Sequence, residues 1–151
     1  METRYEYFSA AISCMYHAIQ KIERMEMAKY GLKGPHAQCL LAMFRHPEGI
    51  TAARLCETCE KDKAAISRIL TELEQAGMVL RKTREGIRYR ALLTLTDQGR
   101  TAAQSVVEKA RLAVELAGKG LEDAEREIFY RVFAKIAVNL YELGREGLSC
   151  T

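Results

Sequence analysis

Two stretches of this chain carry side chains of the right type and spacing to engage a charged, patterned surface. The first is Asp62-Lys63-Ala64-Ala65-Ile66-Ser67-Arg68-Ile69-Leu70-Thr71. Ile66, Ile69 and Leu70 recur at helical spacing and can anchor one face, which leaves Lys63, Ala64, Ala65, Ser67, Arg68 and Thr71 on the other. Small residues allow close approach, and basic and hydroxyl side chains reach donors, acceptors and phosphates. A helix needs that mixture to lie in the major groove of duplex DNA. Its N-terminus adds a partial positive charge that favours a nearby phosphate. The second stretch, Arg81-Lys82-Thr83-Arg84-Glu85-Gly86-Ile87-Arg88-Tyr89-Arg90, holds five basic residues and one acid. A local basic stripe attracts phosphate better than the same charge dispersed.

The thiols and imidazoles are a weaker set. Five cysteines (Cys14, Cys39, Cys56, Cys59, Cys150) and an N-terminus without a signal pattern predict reduced thiols rather than a disulfide framework. Cys56-Glu57-Thr58-Cys59 is a C-x-x-C without the second pair that zinc needs, so core filling is favoured over redox or metal work. His17, His36 and His46 are scattered, although Cys14/His17 and His36/Cys39 are each three apart and could share helix faces. Neither a metal nor a cofactor is expected. No Gly-rich phosphate loop and no nucleophile–base motif is present, so the chain is not expected to be an enzyme.

The elements that must position these residues follow from periodicity. The chain has 151 residues, 48% apolar and 28% charged, with net charge +3, which predicts one globular domain. No apolar run approaches the roughly 20 residues needed to cross a bilayer, so no membrane segment and a cytoplasmic location are expected. Tyr5, Phe8, Ile12, Met15, Ile19 and Ile22 form a continuous stripe on a long first helix, spaced for lengthwise packing against another helix. Gly34-Pro35 starts a second helix with Ala37, Leu40, Leu41 and Phe44 inward. Thr51 caps a short third helix that breaks over Glu57–Lys61, and Asp62 caps a fourth that Gly77 stops. The period then falls to two. Met78–Thr83 and Ile87–Leu95 read as strands around an Arg84-Glu85-Gly86 turn. Thr96-Asp97 caps a helix to about Ala117, with Ala103, Val106, Val107, Ala110 and Val114 inward. A last helix over about 122–143 places Ile128, Phe129, Val132, Phe133, Ile136 and Leu140 on one face. The fold class expected is mainly α with a small β-hairpin wing.

From Gly31 to Gly99 the sequence resembles the MarR family of bacterial transcriptional regulators. The resemblance rests on Asp62-Lys63-Ala64-Ala65-Ile66-Ser67-Arg68, then Leu73-Glu74-Gln75-Ala76-Gly77-Met78-Val79, then Leu95-Thr96-Asp97-Gln98-Gly99, in the family's order and spacing. It implies a winged helix-turn-helix region over 35–98, with residues 1–30 and 99–146 as dimerisation helices, within one domain over 1–151. It also implies a homodimer on double-stranded DNA at a pseudo-palindromic operator, acting as a repressor that a small aromatic or anionic effector releases. By that resemblance Arg88, with Arg84 and Arg90, is the wing's minor-groove contact. Peroxide-sensing members carry a reactive thiol in the first helix near tyrosines, which makes Cys14 a possible redox residue, with Tyr16 and Tyr30 available.

Two departures from the family pattern stand out. The wing lacks the usual Asp-X-Arg, reading Glu85-Gly86-Ile87-Arg88 instead. Glu60-Lys61 occupies the turn where a glycine and an apolar residue are common, and a reshaped turn is the expectation there. The readings carried forward are a ligand-released DNA-binding repressor, a peroxide-sensing repressor of the same fold, and a winged adaptor that binds no DNA.

Overall fold

The computed structural model describes residues 3–82 and 91–147. Six helices and one hairpin follow in the order α1 (Arg4–Ala28), α2 (Gly34–Phe44), α3 (Ala52–Cys59), α4 (Lys63–Gln75), β1 (Val79–Lys82), β2 (Leu92–Leu95), α5 (Asp97–Ala117) and α6 (Asp123–Glu146). The chain divides at Leu112, within α5, into two compact units. Among the described residues no helix is long and apolar enough to cross a membrane.

The first unit contains the core. Met27 of α1, Leu40 and Met43 of α2, Leu55 of α3, Ile66, Leu70 and Leu73 of α4, Met78, Leu93 of β2, and Ala102 and Val106 of α5 are all buried in one cluster. The strands pair antiparallel in the register Val79↔Leu95, Leu80↔Thr94, Arg81↔Leu93 and Lys82↔Leu92. Ile50 adds a single bridge on the far side of β2, its N–H donating to the Leu93 carbonyl at 3.0 Å and its carbonyl accepting from the Leu93 N–H at 2.8 Å. A one-residue strand carries no period, which is why the sequence pattern misses it.

Two of the ordered sequence motifs meet in space. The Thr96 hydroxyl donates to the Gly77 carbonyl at 2.7 Å and accepts from the Gly99 N–H at 3.0 Å, while the Thr96 N–H donates to the Met78 carbonyl at 3.0 Å. Thr96 is thus both the N-cap of α5 and the clasp between the end of α4 and the return strand. Gly99 makes this approach possible, because a Cβ there would lie 2.0 Å from the Met78 carbonyl oxygen.

The turn before α4 differs from expectation. Helix α3 runs on through Cys59, so the break falls at Glu60–Asp62 rather than from Glu57. Glu60 itself takes the left-handed conformation, φ 51° and ψ 46°, that a glycine adopts at no steric cost. Lys61 N–H reaches the Cys56 carbonyl at 3.0 Å and Glu60 N–H the Glu57 carbonyl at 3.3 Å. These bonds make the two-bond Schellman cap. Gly77 ends α4 with the same pair of bonds, Met78 N–H to Leu73 and Gly77 N–H to Glu74, each 3.0 Å. Glu60 therefore keeps a glycine-type turn at a cost in strain and does not reshape it.

In the second unit, α6 opens with a capping box in which the Glu122 N–H donates to the Glu125 carboxylate at 2.9 Å. Phe129 and Phe133 stack one turn apart with ring centroids 5.4 Å apart. None of the helix's residues is buried within the single chain. In α5, Ala103 and Val106 are inward as expected, but Val107 and Val114 are exposed.

Candidate nucleic-acid interface

The geometry of α4 is set by one cap and four anchors. Asp62 Oδ1 accepts the Ala65 N–H at 2.8 Å, and Ile66, Ile69, Leu70 and Leu73 are buried. Lys63, Ala64, Ser67, Arg68 and Thr71 are exposed and Ala65 is half-buried, so all six residues read from the sequence share the side away from the core. The Thr71 hydroxyl donates back to the Ser67 carbonyl at 2.9 Å. The hydroxyl keeps its lone pairs free to accept from an incoming group. Asp62 takes one of the free N–H groups of the first turn, that of Ala65, and Lys63 and Arg68 add exposed cations to the same face.

A second clamp on α4 went unread in the sequence. His36, 3% exposed at the start of α2, accepts the Lys33 N–H on Nδ1 at 3.0 Å. That bond leaves the proton on Nε2, which donates to the Glu72 carboxylate of α4. His36 is therefore occupied in tying the base of α2 to the middle of α4. Its partner lies 36 positions away, beyond the reach of any local pattern.

The hairpin is anchored in a similar way. Arg81 Nε donates to Glu74 Oε1 at 2.9 Å, so this arginine of the basic stretch braces β1 against α4. Lys82 ends β1 exposed. Arg84, Arg88 and Arg90 lie outside the described residues.

The structure separates the thiols. Cys14 is exposed on α1, Cys39 is buried, and Cys56 and Cys59 are half-buried against the core. The Cys59 and Cys39 sulfurs lie 3.9 Å apart across the α2–α3 contact. Met27, Met43 and Met78 are buried, while Met15 and Met25 are exposed.

A helix–turn–helix (α3, α4) followed by an antiparallel hairpin, with a basic outward face on the second helix, defines a winged helix-turn-helix protein. A model described as the MarR family matches residues 30–86. Over that stretch the chain is a MarR-family sequence. It is 32% identical over 102 residues to the uncharacterized HTH-type transcriptional regulator YdgJ of Bacillus subtilis, an alignment covering 67% of this chain and 62% of the relative. The chain thus spans less than two thirds of that relative's length. Its fold matches that of a MarR protein from Peptoclostridium difficile with a TM-score of 0.79 at 19% identity, covering 97% of this chain and 96% of the other. A MarR-family transcriptional regulator from Listeria monocytogenes, solved in complex with a 26mer DNA, has the same fold with a TM-score of 0.75 at 19% identity, covering 94% and 96%.

Proposed function

We propose that the protein is a sequence-specific, DNA-binding transcriptional regulator acting in the cytoplasm as a homodimer. The observation that carries this reading is the α4 face, where Lys63, Ser67, Arg68 and Thr71 project outward above four buried anchors. The likeness to the Listeria regulator, solved on DNA, supports nucleic acid as the partner. Exposed apolar residues along α1 and α6 support the dimer, since a paired interface resembles a core cut in half. We assign α4 to the major groove, and Arg84, Arg88 and Arg90 to the adjacent minor groove. The operator is a pseudo-palindrome with half-sites about 10 bp apart.

Fluorescence anisotropy on the region upstream of the protein's own gene tests this. Binding is expected to be salt-sensitive and far tighter than to random DNA, and Arg68→Ala weakens it by about 10- to 100-fold. Equal affinity for random DNA overturns the reading. The finer part is repression released by a small aromatic or anionic effector. A cavity of about 250 Å³ bordered by Tyr16 and Arg45 supports it, since it offers a ring and a cation. Exposed Cys14 favours peroxide-sensing repression as the alternative, and DNA release by peroxide that Cys14→Ser abolishes is its signature.

A further inference from the structure

The cavity beside Cys59 has a use the DNA-binding face does not explain. Tyr16 and Glu23 of α1, Gln38 and Arg45 of α2, and Thr58 and Cys59 at the end of α3 border an open cleft of about 250 Å³. That lies just below the roughly 300–1,000 Å³ of most small-molecule sites and leaves room for a small hydroperoxide. Cys59 is half-buried at its wall, and the Cys39 sulfur, fully buried, lies 3.9 Å from it.

The two thiols are not equivalent. Either thiol can donate across the 3.9 Å Cys39–Cys59 contact, and that contact together with burial pushes the Cys39 thiol up. The same bond, helped by Lys61, holds Cys59 below the ordinary thiol value against the opposing effect of burial. The C-terminal end of α3 disfavours an anion, so these two partners must outweigh it. Cys59 therefore borders the cavity with its thiol lowered, and Cys39 lies behind it, fully buried. An attacking and a resolving thiol have these properties.

We propose that Cys39 and Cys59 form a dithiol oxidation site: a small hydroperoxide enters the cavity and oxidises Cys59, and Cys39 then closes a disulfide between α2 and α3. In the first step the Cys59 thiolate attacks the outer peroxide oxygen. An S–O bond forms and the O–O bond breaks. The alkoxide, or hydroxide from hydrogen peroxide, leaves and takes a proton from water. The sulfur loses two electrons and the peroxide gains them. In the second step Cys39 sulfur attacks the Cys59 sulfenic acid. The S–S bond forms as the S–O bond breaks, and hydroxide leaves with the Cys39 proton as water. Closing from 3.9 Å to a bonded pair requires a further approach of ~1.9 Å. Cys59 is the last residue of α3, and the strained Glu60 turn joins it to Asp62, the cap of α4. A disulfide therefore pulls on the segment that aims the recognition face. This last consequence rests on the DNA-binding reading; the thiol chemistry does not.

The full-length protein is treated with hydrogen peroxide or tert-butyl hydroperoxide, digested without reduction and mapped by mass spectrometry. The expected product is the Cys39–Cys59 linked peptide, formed equally well in Cys14→Ser. Cys39→Ser halts at a Cys59 sulfenic acid that dimedone captures, and Cys59→Ser slows peroxide consumption by about tenfold or more. If either variant fails to fold, alkylation of the native protein by iodoacetamide decides, with Cys59 expected to label ahead of Cys56 and Cys39 at neutral pH. A Cys56–Cys59 disulfide, oxidation confined to Cys14, or Cys59 labelling no faster than Cys56 overturns the proposal. On operator DNA the disulfide form is expected to bind at least about tenfold more weakly, with recovery on adding dithiothreitol. If the reduced protein binds no DNA, the regulator reading fails, while peptide mapping still decides the thiol site.

Discussion

Helices α4 and α6 treat their apolar residues in opposite ways. The shorter, α4, has fewer of them and buries four: Ile66, Ile69, Leu70 and Leu73. In α6 the apolar residues are more numerous, yet Phe129 is 45% exposed, Leu140 51%, and none is buried. Helix α1 contains both situations. Its last two turns bury Glu23, Glu26 and Met27, while Tyr5, Met15 and Ile19 further back are open. An apolar stripe reports how much surface must leave water and says nothing of what will cover it. Around α4 the cover is the chain's own core. Along α6 the proposed second subunit supplies it, because an uncovered stripe of this size marks an association surface.

The sharpest way to break the comparison is to empty one site in each region. Leu70→Ala removes a fully buried side chain and is expected to cost about 2–5 kcal/mol, at any protein concentration, in chemical denaturation. Leu140→Ala in α6 is expected to cost little when the protein is dilute enough to be monomeric. At concentrations where sedimentation shows dimer it weakens association by about tenfold or more. If Leu140→Ala is equally costly at all concentrations, α6 is covered within its own chain and the contrast with α4 disappears.

A second contrast lies within one turn of α1. Glu26 accepts from Lys29 at 2.6 Å and Ser105 at 2.7 Å, and these bonds hold its carboxyl below the usual value of 4.5. Glu23 is pushed above that value by burial, which outweighs Gln38 and Arg24. The signs follow from proton linkage. Glu26 stabilises the fold above the ordinary carboxylate range, and that contribution is lost as pH falls through its lowered value. Glu23 binds its proton more tightly folded than unfolded, so stability rises as pH drops through its raised value. Glu26→Gln should cost about 1.5–3 kcal/mol at pH 7 and flatten the loss below pH 4.5. Glu23→Gln should remove the gain in mild acid. Urea midpoints across pH distinguish the two, and parallel profiles in both variants would contradict the opposed environments.

Much of the first unit was legible because its signals are local. Asp62 as a cap, the Ile66–Leu73 anchors, Gly77 as a stop and Thr96 as a cap each depend on neighbours within four residues. The face bearing Lys63, Ser67, Arg68 and Thr71 followed from the same spacing. What escaped is non-local. The His36–Glu72 clamp spans 36 positions, and the Cys39–Cys59 contact spans 20. The inward face assigned to Val107 and Val114 failed because a helical stripe can begin in one environment and end in another.

The smallest effect concerns the two helix ends that flank α4. Glu60 and Gly77 close identical pairs of capping bonds, both with positive φ, yet only Gly77 is free of Cβ strain there. Glu60→Gly should therefore stabilise the fold, by about 0.5–1 kcal/mol, because relief of the left-handed strain exceeds the chain entropy that glycine adds. The thermal midpoint reads this directly. The variant also separates strain from chemistry. If the strained turn serves only to end α3, Glu60→Gly leaves DNA affinity unchanged. If the turn transmits the state of Cys59 to α4, as the proposed effect of the disulfide on DNA binding requires, the relaxed glycine turn blunts the loss of DNA binding on oxidation while the disulfide still forms. A variant that is both less stable and fully oxidation-sensitive would show that Glu60 is held by side-chain interactions stronger than its backbone strain.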